Sequence, residues 1–67
     1  MNLTEAVEIA ARDLPEGWEI VIRVEQGSGC IALFDEDECA HEFRHDPTDS
    51  LASQVLSAVE YANILLA

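Results

Sequence analysis

The sequence predicts one α+β domain spanning residues 1–67, in the order helix, three-stranded antiparallel meander, helix, with both helices on one sheet face. Three observations predict it. Apolar residues recur at helical spacing at both ends of the chain, and they alternate with polar residues through its middle. Proline, glycine or acidic clusters separate these stretches. Internal repeats, low-complexity tracts and long linkers are absent, and 67 residues leave room for one small core.

The first helix is read from Leu3, Ala6, Val7, Ala10 and Leu14, which fall on one face with Glu5, Glu8 and Arg12 elsewhere. Asn2 is the expected N-cap, and Glu5 stands three residues on, as in a capping box. Leu14-Pro15-Glu16-Gly17 ends the helix, because proline removes a backbone donor and restricts the residue before it.

From Trp18 to Glu25 the period becomes two. Trp18, Ile20, Ile22 and Val24 face one way, and Glu19, Val21, Arg23 and Glu25 the other. Gln26-Gly27-Ser28-Gly29 is the expected hairpin loop, followed by a strand from Cys30 to Phe34. Pairing Glu25 with Cys30 sets Val24 opposite Ile31 and Ile22 opposite Leu33, which gives one apolar face.

Asp35-Glu36-Asp37-Glu38 marks a turn, and Cys39 to His45 is the expected third strand, with Cys39, His41, Phe43 and His45 on one side. Pairing Asp35 with Cys39 brings Phe43 opposite Ile31 and into the core, whereas the neighbouring register would bury Glu42 there. Cys39 is expected to be a small core residue.

The last helix is expected to open at Asp46-Pro47-Thr48-Asp49, with Asp46 or Thr48 as cap. Its apolar stripe is Leu51, Val55, Ala58, Val59, Ala62, Leu65 and Leu66. Ser50, Ser53, Ser57 and Glu60 face solvent, and Leu56, Tyr61 and Ile64 fall off the stripe.

The charge is extreme. Fourteen acidic residues face three arginines, Arg12, Arg23 and Arg44, with no lysine, for a net charge of −11. Phosphate contacts dominate nucleic-acid affinity, so direct binding to nucleic acid or to an anionic membrane is excluded as an expectation. The expected partner is a basic protein surface, and steering by the negative field extends this to the nucleic-acid channels of DNA- or RNA-handling complexes. Self-repulsion opposes compactness, and a homodimer through an apolar face would offset it.

Candidate chemistry reduces to a few side chains. Cys39, His41 and His45 are residue types that hold zinc, but on a strand His41 and His45 stand roughly 13 Å apart, too far to share an ion. No metal or other cofactor is therefore expected. The acidic run lacks the ligand spacing and central glycine of a calcium loop, and Gly27-Ser28-Gly29 has neither the helix nor the lysine of a phosphate cradle. Cysteine and histidine without an orienting group or an oxyanion site do not make a nucleophile, so the chain is not expected to be an enzyme. Met1 to Ala11 lacks a basic leader, and two cysteines without such a leader are expected to be reduced thiols in a cytoplasmic protein.

Two surfaces remain as binding candidates. One is the array of Asp35, Glu36, Asp37, Glu38, Glu42, Asp46 and Asp49. The other is an apolar patch of Val21, Phe34 and Ala40 on the open sheet face, within a charged rim.

The element order is similar to that of double-stranded-RNA-binding domains. At the start of the last helix, where that family carries a basic cluster, this chain has Asp46-Pro47-Thr48-Asp49-Ser50, so RNA binding by that mode does not carry over. In size, charge and lack of catalytic groups the whole chain resembles the small acidic inhibitors that bacteriophages encode against host nucleases, the anti-CRISPR and antirestriction proteins. That resemblance implies carboxylates standing in for phosphates and competitive occupation of a basic channel. The alternative is an interaction module that self-associates or docks through the apolar patch, or through the surplus helix residues Leu56, Tyr61 and Ile64, with acidity serving solubility.

Overall fold

A computed structural model describes residues 2–43 and 49–66. Its elements are α1 (Leu3–Asp13), β1 (Glu19–Glu25), β2 (Ser28–Phe34), β3 (Ala40–His41) and α2 (Leu51–Leu66). The strands form one antiparallel sheet in the order β1-β2-β3, and the helices pack over one of its faces. Arg44 and His45 of the expected third strand, and Asp46 and Thr48 as expected caps, lie outside the described residues.

α1 begins as its sequence dictates. The Asn2 side chain accepts a hydrogen bond from the Glu5 amide at 2.8 Å, which satisfies one of the orphan donors of the first turn. At the other end Leu14 turns extended while its amide still bonds to Ala10 O, and Pro15 follows. α2 starts later than expected. The Ser50 carbonyl accepts from Gln54 N at 3.0 Å and its hydroxyl from Ser53 N at 3.2 Å, so Ser50, exposed as expected, is the cap rather than a residue within the helix.

The β1–β2 hairpin is tighter than its sequence suggests. Glu25 pairs with Ser28, so the loop is Gln26-Gly27 alone, with Gly27 at φ +86°. Ile22 therefore lies opposite Ile31 rather than Leu33, Ile20 opposite Leu33, and Val24 opposite Gly29. The displacement is two residues, one full period of a strand, so every side chain keeps its expected face. The second register is as expected: Leu33 pairs with His41, and Asp35 N donates to Cys39 O at 3.1 Å.

The core has two parts. Ala6 and Ala10 of α1 meet Ala52, Val55 and Val59 of α2, small side chains that let the helices approach closely. Leu33 of β2 is fully enclosed against Ala58 and Ala62, with Trp18, Phe43 and Tyr61 at the edge of the cluster. Asn63 Nδ2 donates to Asp13 O across the helix pair and to Val59 O, joining the C-terminal ends of both helices.

Several expected core positions are outside it. Leu3, Val7, Ile22, Val24, Leu65 and Leu66 are exposed, because the helices lie over β2 and leave the flank of β1 and the end of α2 uncovered. Conversely Ala52 and Gln54 are buried, the Gln54 amide donating to Asp49 O, while Leu56 and Tyr61 pack against the core from off the expected stripe. Cys39 is exposed, since β3 is two residues long and Cys39 precedes it in the turn.

Candidate functional site

The acidic run builds the turn between β2 and β3 around one side chain. Asp35 Oδ1 accepts from the amides of Asp37 at 2.8 Å and Cys39 at 3.0 Å, and the Asp35 carbonyl accepts from Glu38 N. An aspartate bonding to its own downstream backbone is a turn device, and it brings the chain back within four residues. Glu38 sits at φ +63°, the left-handed region that non-glycine residues rarely occupy.

The second oxygen of Asp35 is also engaged. Its Oδ2 lies 2.8 Å from Nε2 of His41, whose ring N–H donates to it. The histidine bond and the two backbone amides hold the Asp35 carboxyl below the usual carboxylate range, against partial desolvation. The His41 ring lies between Trp18, at 5.1 Å, and Tyr61, at 5.9 Å, so the hydrogen-bonded pair is braced by aromatic rings that precede β1 and project from α2. Asp35 is thus a structural member of the expected acidic array, with both oxygens used inside the fold.

The free carboxylates stand around it. Glu36, Asp37, Glu38 and Glu42 are exposed, and none has an ion pair among the described residues. The turn that carries Glu36 abuts the one that leads into β1: a Cβ on Gly17, at φ +87°, would come within 2.8 Å of Glu36 Cβ. Their contact opens a concave surface lined by Gly17, Trp18, Glu19, Phe34, Asp35, Glu36 and Glu38. Three free carboxylates and two aromatic side chains therefore share one depression, a combination that suits a cationic side chain. Asp49 is half-buried near the start of α2, and Asp46 lies outside the described residues.

The expected apolar patch is smaller than its sequence suggests. Phe34 pairs with the exposed Ala40, but the shifted hairpin sets Val21 opposite Ala32 and Glu19 opposite Phe34. Val21 and Phe34 are half-buried, and Phe34 belongs to the rim of the acidic depression. The two binding candidates thus meet at one side chain.

Cys30 and Cys39 are free, exposed thiols. Among the described residues no three of His, Cys, Asp and Glu are grouped so as to hold a metal, and no helix is long and apolar enough to cross a membrane. His45, one of the three side chains weighed as zinc ligands, lies outside the described residues. No known protein family matches the chain, and neither does any curated protein or solved structure.

Sequence reasoning missed Trp18, Glu19 and Gly17 as site residues, since they are separated by more than a dozen positions from the acidic run. The one available signal was Gly17, a glycine after proline, where a backbone can approach closely.

Proposed function

We propose that this chain is a non-catalytic binding module that engages a basic protein surface through its carboxylates, and that the surface is one that otherwise holds nucleic acid. The observation that carries the reading is the depression beside the β2–β3 turn, where Glu19, Glu36 and Glu38 surround Phe34 and Trp18 with no neutralising cation among the described residues. A lysine or arginine entering it would meet carboxylates and a π-face together. The net charge of −11 adds a long-range field that favours encounter with a positive channel. In this reading the chain acts by competitive occupation, in the manner of the phage-encoded nuclease inhibitors it resembles in size and charge.

The reading is tested by capture from bacterial lysate at low and high salt, followed by competition with duplex DNA. A nucleic-acid-handling protein that is retained at low salt, released at high salt and displaced by DNA supports it. Glu36→Lys with Glu38→Lys should abolish that capture while leaving Asp35 and the turn intact. Capture that survives both salt and the double substitution would overturn the reading and move the interaction to the Phe34 and Ala40 pair.

A further inference from the structure

The outer flank of β1 is the least finished part of the molecule. β1 is an edge strand of seven residues, Glu19–Glu25, without proline or any covering strand among the described residues, and its charged residues, Glu19, Arg23 and Glu25, all alternate onto the open face, leaving Ile20, Ile22 and Val24 on the other. Natural edges of that length are ordinarily blunted by such devices. Above it, α1 leans on α2 and leaves an apolar groove between Val7, Ala11 and Leu14 on one side and Ile20 and Ile22 on the other. Val24, at the end of the strand, is 76% exposed.

The charges on β1 are self-complementary. Glu19 and Arg23 point to the open sheet face and carry no ion pair among the described residues. Four residues apart on one strand, they are separated by roughly 13 Å and do not meet within one chain. A second β1 running antiparallel brings them together twice. We propose that two copies of this chain associate through their β1 edges, in the register that places Val21 opposite Val21 of the second copy.

In that register each Glu19 faces Arg23 of the second copy, so two ion pairs flank the central valines. On the helix-facing side Ile20 meets Ile22, and Val24 meets Trp18, which covers the apolar residues a single chain leaves open. Sliding by one period in one direction sets Glu19 against Glu25, and two periods beyond the proposed register set Arg23 against Arg23, both like-charge contacts. The result is a continuous six-stranded sheet with its edges at the two-residue β3 strands. The dimer takes up Glu19, which also lines the depression, but needs neither Glu36 nor Glu38. The dimer should therefore survive Glu36→Lys with Glu38→Lys, and its failure leaves the proposed function standing on those two carboxylates.

The test is sedimentation equilibrium under reducing conditions at about 0.15 M salt, where a screening length of about 8 Å damps the repulsion between two chains of −11. A concentration-dependent species of twice the 7.4 kDa chain mass is expected. Arg23→Glu and Glu19→Arg should each weaken the dimer about tenfold or more, and the two together should restore it to within about threefold. Arg12→Glu, which changes the net charge as much as Arg23→Glu but lies on α1, should have little effect. With Cys30 and Cys39 replaced by serine, Val21→Cys should cross-link two chains under mild oxidation. A monomer at all concentrations up to about 1 mM, or a dimer indifferent to the charge exchange, overturns the proposal. So does a dimer in which Val21→Cys does not cross-link, since its register would differ.

Discussion

β1 and β2 carry the same alternation of apolar and polar residues and differ in what lies above them. Leu33 of β2 is wholly enclosed by Ala58, Ala62 and the rings around them, whereas Val24 of β1 stands 76% exposed opposite Gly29. Both point to the same side of the sheet. The difference comes from α2, which lies over β2, while α1 packs against α2 more than against β1. Alternation decides the face, and the helix overhead decides whether that face is a core.

The sharpest way to break this comparison is to truncate both residues. Leu33→Ala should cost about 2–5 kcal/mol, enough to unfold much of so small a domain, while Val24→Ala should stay within about 0.5 kcal/mol in the monomer. Chemical denaturation monitored by circular dichroism measures both, and equal effects would show that β1 is covered after all.

A smaller effect is expected at Gly17, where the start of β1 is pinned to the β2–β3 turn. Gly17→Ala combines a left-handed backbone with a 2.8 Å approach to Glu36 Cβ, and should cost about 1–3 kcal/mol. If thermal melting shows no loss, the two turns can separate without consequence, and the depression between them is not a fixed shape.

Asn2→Ala should cost about 1 kcal/mol by removing the cap of α1, the element that only partly shelters β1. Amide hydrogen exchange should then rise first in the early turns of α1, with β2 unaffected. Spread of the effect into β2 would mean that α1 supports the covered strand as well.

The least effect at neutral pH is expected at Asp35. Its folded pKa lies below the unfolded value of about 3.9, so its bonds stabilise the fold above that value and the contribution is lost as pH falls through the lower folded pKa. Asp35→Asn should therefore be less stable than the parent chain at pH 7, and the two should converge as both are taken to acid. A difference that persists undiminished in strong acid would show that the carboxylate charge is not what matters there.

The candidate site was legible in the sequence as composition. Four consecutive acidic residues, Asp35-Glu36-Asp37-Glu38, mark a turn, and the requirement that Phe43 reach the core placed that turn correctly. What the run does internally was not legible. Asp35 looks like its neighbours on paper, and it becomes a turn-former with a histidine partner because β3 returns His41 beside it, under Trp18 and Tyr61. Cys39 was misplaced for the related reason that β3 is shorter than its alternation implies.

By itself the sequence determined the order of the elements, the Asn2 cap and the face on which each strand residue lies. These depend on local chemistry and on a period of two, which survived a hairpin shift of two residues. Tertiary structure alone decided the rest. The burial of Ala52 and Gln54, the exposure of Val7, Ile22 and Val24, and the start of α2 at Ser50 all follow from where two helices come to rest on a three-stranded sheet. That placement is set by close packing of Ala6 and Ala10 against α2, a contact between residues some fifty positions apart that no local pattern encodes.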